Sequence, residues 1–146
     1  MHKKQFFIFC CLICYTLTSQ VSQSIIIDKV NTKNLTNPFV SSLFQDLKGY
    51  LWIGTTGGLN KYDGYEFTKF RNTAKDSTSL SNSSITGFHQ TEIDYIFIGT
   101  RNGLNIYNYN DNKFTRVFYD SKEINDFKKN NIYCVVTNKG GEKIIG

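Results

Sequence analysis

The sequence predicts an all-β fold built from repeated four-stranded antiparallel units, and two observations support this prediction. First, the chain repeats itself: "VSSLFQDLKGYLWIGTTGGLNKYDGYEFTKF", starting at Val40, matches "ITGFHQTEIDYIFIGTRNGLNIYNYNDNKFTRV", starting at Ile85. Second, each copy contains four short runs of aromatic and β-branched residues separated by turn signals. Such runs are typical of short strands joined by tight connections.

The two copies align at an offset of 45 residues, which places Trp52 on Phe97 and Tyr62 on Tyr107. A third, shorter copy starts at Ile132, displaced by 47 residues, because the second copy has "NYNDNK" where the first has the shorter "DGYE". Four short antiparallel strands repeating at this period are typical of the blades of a β-propeller. A sandwich or a barrel does not require near-identical units, so the propeller is favoured.

The repeat also predicts the organisation of the chain. We assign residues 38–81 to a first blade, 82–129 to a second and 130–146 to a truncated third. Residues 25–37 are assigned to an N-terminal segment that would close a complete ring, with the strand itself at Ile25 to Val30. Because a propeller needs about 4 to 8 blades, we expect an N-terminal fragment of about two and a half blades that lacks its remaining blades.

Residues 1–24 are predicted to be a signal peptide. Lys3 and Lys4 precede an apolar block from Phe6 to Leu17, and small and polar residues follow, which is the order of a secretory signal. The block is shorter than the roughly 20 residues that span a membrane. We therefore expect cleavage after Ser22 or Ser24, export to the periplasm and no membrane span in the mature chain. An uncleaved amphipathic or anchor helix is the alternative.

Export leaves the mature chain with one cysteine. Cys10, Cys11 and Cys14 lie in the signal, and their neighbours do not fit a lipid-anchoring signal. The remaining Cys134 lies in "NIYCVV", where we predict a buried strand and a thiol that acts as a small apolar group. A reactive thiol is the alternative, and an intrachain disulfide is excluded.

The charge of the chain points to no nucleic-acid partner. The formal net charge is +5, and without Lys3 and Lys4 there remain 15 basic residues against 12 acidic ones. These charges are interspersed rather than gathered into the dense basic face that nucleic-acid binding requires.

The glycines of each unit are predicted to serve its structure. Gly57, Gly58 and Gly103 follow an Ile-Gly-Thr strand at a sharp turn, so we expect positive φ at all three. Gly54 and Gly99 are expected to let neighbouring blades approach closely. The glycines lead into another strand and not into a helix, which argues against a phosphate-binding loop.

The Asp63–Gly64 pair stands between two strand-like runs. An Asp-Gly pair in this setting predicts a type I′ hairpin turn, which needs positive φ at both central residues.

The first unit resembles the two-component regulator propeller repeat, found in the periplasmic sensor region of hybrid two-component systems of Bacteroidetes-type bacteria. The matching positions are Asp46, Gly49, Leu51, Trp52, Ile53, Gly54, Thr55, Gly58, Leu59, Tyr62, Asp63, Phe67 and Phe70. The second unit has Thr91, Asp94 and Phe97 where the family has Asp, Gly and Trp. We therefore expect a blade there with a different first turn.

The resemblance implies a function for the parent protein. Proteins of this family are expected to bind a glycan-derived ligand in the periplasm and to signal to a histidine kinase and a DNA-binding response regulator. This chain has no kinase motif, so it is not expected to be an enzyme. The resemblance itself identifies no residue that contacts a ligand.

Candidate ligand contacts are proposed from the usual propeller layout instead. Thr56, Arg101 and Asn102 lie in turns expected to share a face with the long connection 71–84. Tyr65 and Tyr109 are predicted surface aromatics that could stack on sugar rings, with packing between blades as the alternative.

Two other function classes stay open. A propeller enzyme of the lyase or glycosidase type would need an acid–base pair or nucleophile in a pocket, and His89 in a predicted strand offers neither. The sequence has no Cys and His spacing typical of a metal site, and we predict no cofactor and no catalytic residue. An interaction scaffold that binds no small ligand is the other alternative.

Overall fold

The computed structural model describes residues 32–118 and 130–146. The predicted signal peptide and the strand predicted within residues 25–30 therefore lie outside the described residues. Within the described ranges, no helix is long and apolar enough to span a membrane. A short 3-10 helix, Thr32–Asn34, precedes the first strand.

The described residues form two four-stranded antiparallel sheets and one hairpin. The first sheet contains strands β1 (Val40–Gln45), β2 (Leu51–Thr55), β3 (Gly58–Tyr62) and β4 (Phe67–Phe70) in sequence order. The second contains β5 (Ile85–Glu92), β6 (Tyr95–Thr100), β7 (Gly103–Asn108) and β8 (Lys113–Val117), also in sequence order. Strands β9 (Val135–Thr137) and β10 (Lys143–Ile145) form the hairpin. The prediction of repeated four-stranded blades is confirmed.

The strand registers reproduce the sequence repeat. Leu51 pairs with Tyr62 in the first sheet, and their counterparts Ile96 and Tyr107 pair in the second. In the hairpin, Val135 pairs with Ile145, as Phe88 pairs with Ile98 at the 47-residue offset. The two extra residues lie between Tyr107 and Phe114 and add the pair Asn108 and Lys113 to the strands, because Tyr107 pairs with Phe114 whereas Tyr62 pairs with Phe67.

Positive φ is required at only two of the three predicted turn glycines. Gly58 has φ of 147° and Gly103 has φ of 104°, whereas Gly57 is not in the positive-φ region. A Cβ on Gly57 would lie 3.0 Å from the Cβ of Asn37 and 3.3 Å from the carbonyl oxygen of Thr36. The prediction for Gly57 was therefore wrong, and close approach of the chain explains the glycine there.

The turn at Asp63–Gly64 is not the predicted type I′ turn. Gly64 has φ of 103°, but Asp63 does not have positive φ. The loop spans four residues, and Asp63 Oδ1 accepts hydrogen bonds of 2.8 Å from the backbone nitrogens of both Tyr65 and Glu66. These bonds lower the pKa of Asp63, and the side chain closes a turn that a second positive φ would otherwise have to form.

The first turns of the two blades differ, as the sequence departures predict. In the first blade five residues separate the paired Gln45 and Leu51, and Gly49 has φ of 91°. In the second blade the strands continue to the pair Glu92 and Tyr95, with a register shift after His89. The second turn is thus shorter and needs no glycine.

The main core lies between the first two sheets. It contains the buried side chains of Trp52, Leu59, Leu80, Ile85, Ile96, Ile98, Tyr107 and Phe114. A smaller cluster of Leu104, Ile132 and Val135 joins the second sheet to the β9–β10 hairpin. Each blade therefore buries its apolar face against its neighbour, as stacked repeats do.

The glycines of the Ile-Gly-Thr strands allow this stacking. A Cβ on Gly54 would lie 2.7 Å from Ile85 Cγ2, on the next blade. A Cβ on Gly99 would lie 3.1 Å from Ile132 Cγ2. The predicted close approach at both positions is confirmed.

The same polar contacts hold the segment before each blade against that blade. In the first blade, Thr36 N donates to Asn60 Oδ1 at 2.9 Å, and the Thr36 and Thr55 hydroxyls lie 2.9 Å apart. In the second, Ser81 N donates to Asn105 Oδ1 at 2.7 Å, and the hydroxyl of Ser81 lies 3.0 Å from that of Thr100. The 45-residue repeat thus extends into the connecting segments.

The predicted environment of Cys134 was wrong. Cys134 is exposed and lies just before β9, not within a buried strand. Its backbone nitrogen donates to Gly146 O at 3.0 Å, so the backbone is paired while the side chain faces outward. The neighbouring Ile132 and Val135 supply the buried side chains of this segment.

Candidate functional site between the two blades

The predicted ligand contacts lie on turns at one end of the blades. Thr56 and Arg101 are exposed, and Asn102 is half-buried. Arg101 N donates to Ser84 O at 3.1 Å, and Asn102 N donates to Thr100 Oγ1 at 3.2 Å. The turn of the second blade therefore contacts the end of the long connection, as expected.

The other end of the connection reaches the first blade. Arg71 Nη2 donates to Thr36 O at 3.1 Å, close to Gly57, which follows Thr56. Thr56 and Arg101 belong to turns of different blades. The structure brings their turns to the same connection but shows no contact between the candidate side chains themselves.

A cluster of aromatic rings fills the space between the blades. Trp52 lies edge-on to Tyr107 with ring centroids 5.1 Å apart and stacks on Phe70 at 6.0 Å. Tyr107 also contacts Phe114 at 5.1 Å and Tyr109 at 5.0 Å. Offset and edge-on arrangements of this kind are the favourable ones for aromatic pairs, so the cluster is a packed interface.

Asp46 joins this cluster to the first turn. Its side chain is buried, with 5% exposed. Oδ1 accepts hydrogen bonds of 2.9 Å from the backbone nitrogens of Lys48 and Tyr50. Oδ2 accepts a hydrogen bond of 2.6 Å from Trp52 Nε1 and another from the hydroxyl of Tyr109, in the second blade. The carboxylate therefore closes its own turn and also links two blades.

Tyr109 is not the surface aromatic that the sequence predicted. Its ring packs against Trp52 and Tyr107, and its hydroxyl is hydrogen-bonded to Asp46. Burial, followed by the hydrogen bond and charge of Asp46, raises the pKa of Tyr109. Burial, with the charge of Asp111, also raises the pKa of Tyr107 to about 12. Tyr109 therefore packs between the blades, which was the alternative prediction for this residue.

Tyr65, the other predicted surface aromatic, is 95% exposed. It lies in the turn between β3 and β4, and its backbone nitrogen donates to Asp63. The residue is accessible, but it lies on a different turn from Thr56.

Two lysines cover the aromatic cluster. Lys61 Nζ lies 4.8 Å from the ring centroid of Tyr50 and 5.7 Å from that of Tyr107. Lys48 Nζ lies 5.0 Å from the ring centroid of Tyr109 and 3.7 Å from Asp94 Oδ1. Asp94 stands where the family pattern has Gly, so this departure adds an ion pair between the blades.

A groove with a volume of about 270 Å³ opens between the outer edges of the two blades. Its walls are the end of β4 at Lys69–Arg71, residues of the loop 73–79, and Asn112 and Phe114 of the second blade. None of Thr56, Arg101 and Asn102 lines it. The groove was not predicted from the sequence, because the loop and β8 are about 37 residues apart along the chain. The hydrogen bond from Arg116 Nε to Ser79 O spans this separation.

His89, in β5, contacts the hydroxyl of Thr137 through Nε2 at 2.6 Å, which ties the second blade to the hairpin. Within residues 32–118 and 130–146, no three His, Cys, Asp or Glu side chains are grouped to hold a metal ion.

The sequence of the first blade matches a known family. The family described as "Two component regulator propeller" matches residues 34–57, the segment that contains Asp46, Trp52 and the first two strands. Residues 34–57 match the two-component regulator propeller repeat. The residues that define this repeat are thus those that build the turn and the interface between blades.

Two known proteins are similar to parts of this chain. "Histidine kinase P4" of Formosa agariphila is 49% identical over 47 residues, which is 32% of this chain and 3% of that protein. The extracellular domain of a putative hybrid two component system, BT3049 of B. thetaiotaomicron, has the same fold, with a TM-score of 0.68 and 24% identity. That alignment covers 81% of this chain and 17% of the solved chain. The propeller chain therefore spans a small part of the length of these relatives.

Proposed function

We propose that these blades belong to the exported, ligand-sensing propeller of a two-component signalling protein. The observation that carries the proposal is the two-component regulator propeller repeat at residues 34–57. The fold shared with the extracellular domain of a hybrid two component system supports the placement outside the cytoplasm.

The blades contribute recognition rather than chemistry. Their aromatic and carboxylate side chains are engaged in packing between blades, as for Trp52, Asp46 and Tyr109. The kinase that transmits the signal is then a separate part of the intact protein.

A glycan-derived ligand is proposed to contact the turn end of the blades. Thr56, Arg101 and Asn102 are the proposed contacts there. The exposed guanidinium of Arg101 offers a fork of donors for hydroxyl or acidic groups, and the bond from its backbone nitrogen to Ser84 O fixes the turn that presents it.

The sensing proposal can be tested in the organism that carries the gene. Transcripts are measured after exposure to a panel of oligosaccharides, in the wild type and in strains in which Arg101→Ala or Lys139→Ala replaces the native codon. Lys139 is an exposed control in the β9–β10 turn. We expect one class of oligosaccharide to induce genes in the wild type and the control, with a weaker response in the Arg101→Ala strain. A panel that induces nothing would instead favour a scaffold without a small ligand.

Export is tested separately. A fusion of the chain to alkaline phosphatase, which is active only outside the cytoplasm, is expected to be active. Deletion of residues 1–24 is expected to abolish that activity, and an inactive full-length fusion made in normal amounts would contradict export.

A further inference from the structure

The groove between the outer edges of the blades has a built polar wall. Arg116 of β8 holds the loop that forms this wall through Nε to Ser79 O at 2.8 Å and Nη2 to Asp76 O at 2.6 Å. Phe114 N also donates to Thr78 O at 3.0 Å. The loop is thereby fixed to the second blade, while Lys69 on the opposite wall belongs to the first.

Positive charge dominates around the groove. Lys69 and Arg71 line it. Hydrogen bonds from Thr78, followed by the nearby charges of Arg116 and Lys113, lower the pKa of Asp76. Asp76 is the one carboxylate among the lining residues. The balance of charge therefore favours an anion.

The Asp76 carboxylate is already engaged within its own loop. Its Oδ1 accepts a hydrogen bond of 2.8 Å from Thr78 N and one of 2.7 Å from Thr78 Oγ1. A carboxylate held in this way caps the loop and does not neutralise Lys69 or Arg71 at close range.

The remaining lining combines an aromatic floor with neutral polar groups. The rings of Phe70 and Phe114 meet edge-on with centroids 5.2 Å apart, and Phe114 is buried. Asn112 Oδ1 accepts a hydrogen bond of 2.6 Å from the hydroxyl of Tyr107, which leaves the amide nitrogen of Asn112 as a donor at the groove. A few polar groups around an apolar floor are typical of small-molecule sites.

We propose that this groove binds a small anionic ligand that also carries hydroxyl groups, of the kind represented by a hexuronate. Lys69 and Arg71 pair with the acidic group, because ammonium and guanidinium groups are the natural partners of carboxylates. Asn112 and the hydroxyls of Thr73 and Thr78 lie in the wall that faces the rest of the ligand. The volume fits a single small ring better than a long chain, since it lies just below the range of about 300 to 1,000 Å³ for drug-sized ligands. The site goes beyond the proposed function, because it shares no residue with the turn that presents Arg101.

The test is a titration of the ¹⁵N-labelled full chain with sodium glucuronate, followed by amide chemical shifts and repeated by calorimetry. We expect saturable shifts at Arg71, Thr73, Thr78 and Asn112, and weaker binding as salt is raised, because salt screens exposed charges. Glucose, which lacks the charge, and sodium sulfate, which lacks the hydroxyls, are each expected to bind more weakly than glucuronate.

Two variants distinguish a loss of charge in the groove from a loss of folding. Lys69→Gln is expected to weaken glucuronate binding by about 1.5- to 5-fold, the range for one exposed ion pair, while the exposed control Lys139→Gln leaves it unchanged. Arg71→Lys keeps the charge and is expected to retain most of the binding. Equal binding of glucose and glucuronate, an unchanged affinity in Lys69→Gln, or shifts that map to the turn of Arg101 would each overturn the proposal. Its failure would leave the transcriptional test of Arg101 unaffected.

Discussion

At the scale of single residues, Asp46 explains why the repeat pairs an aspartate with a tryptophan. The carboxylate accepts two backbone hydrogen bonds in its turn and two from Trp52 and Tyr109. Removing the acceptor leaves buried donors unsatisfied, and each of these costs about 1 to 3 kcal/mol. One side chain thus supports both the turn and the contact between blades.

We predict that Asp46→Ala lowers the free energy of unfolding by about 2–4 kcal/mol. The measurement is the fluorescence of Trp52 during urea titration, because this is the single Trp of the chain and it is fully buried between the blades. Thr91→Ala is the matched control, since the exposed Thr91 occupies the equivalent position in the second blade. Equal effects of the two substitutions would contradict the role given to Asp46.

A second residue-scale prediction concerns alkaline pH. The folded protein raises the pKa of Tyr107 from 10.0 to about 12 and raises that of Tyr109 as well. A raised pKa means that the folded state favours the neutral phenol, so its contribution to stability is fully present below pH 10 and is lost as the pH rises towards 12. We expect stability to fall across this window, as measured by urea titration at several pH values.

The variants Tyr107→Phe and Tyr109→Phe are the controls for this prediction. Each removes one ionisable phenol and is expected to reduce the loss of stability between pH 10 and 12. An unchanged pH dependence in the double variant would show that other groups cause it.

Residue environments were the hardest features to predict from sequence. Tyr109 looked like a surface aromatic because its neighbours are polar, but its partners Asp46 and Trp52 lie 63 and 57 residues away. Cys134 stands in an apolar run, yet the register of β9 buries Val135 and leaves the thiol exposed. Local patterns indicate a strand but do not determine which partners cover it.

At the scale of elements, the glycines of β2 and β6 set how closely blades pack. A Cβ on Gly54 would lie 2.4 Å from Ser42 Oγ and 2.7 Å from Ile85 Cγ2. We predict that Gly54→Ala destabilises the chain by about 1–3 kcal/mol, the usual cost of overpacking. Gly99→Ala should cost less, because its nearest neighbours lie at 2.8 and 3.1 Å. Urea titration measures both.

Gly87→Ala is the matched control for these substitutions. Gly87 lies in β5, and its added Cβ would lie 3.6 Å from the nearest atom, the carbonyl oxygen of Tyr133. We expect a change near zero, because that distance is an ordinary contact. A loss at Gly87 as large as that at Gly54 would show that strand propensity, and not space between blades, causes the effect.

Strands were more predictable than the turns that join them. The repeat placed Trp52, Tyr62 and their counterparts correctly in register. A shift of one residue would move every side chain of a strand to the other face of the sheet, so equivalent positions must match in both units. The turn at Asp63 was mispredicted, since its side chain accepts two backbone hydrogen bonds and so replaces one of the positive φ angles that type I′ requires. The Asp-Gly dipeptide alone does not show whether the aspartate side chain will form such hydrogen bonds.

At the scale of the whole molecule, the stacking of blades followed from the repeat, but the groove did not. Two near-identical units that each bury one face must pack on one another, so the contact of Ile85 with the first blade was implied. The groove depends on where the connection crosses β8, and Arg116, which anchors that connection, is replaced by Lys69 in the first unit. Features shared by the repeats were predictable, and features unique to one connection were not.

The last prediction concerns the outer face of the first blade. Val40 and Leu43 are 45% and 63% exposed, whereas Ile85, the counterpart of Val40, is 1% exposed. Phe88, the counterpart of Leu43, stacks on Phe44 of the neighbouring blade with centroids 5.8 Å apart. Since exposed apolar patches mark interaction sites or aggregation liabilities, we expect the chain to self-associate as its concentration rises, as measured by sedimentation velocity.

Leu43→Lys should reduce this association without lowering the urea midpoint, because Leu43 is largely exposed and no blade within residues 32–118 and 130–146 covers it. Phe88→Lys is the contrasting variant and should lower the midpoint, because it places a charge against Phe44 between packed blades. A wild-type chain that stays monomeric at every concentration and unfolds cooperatively would contradict the prediction. That result would mean that the blades described here complete a stable core without a further blade against Leu43.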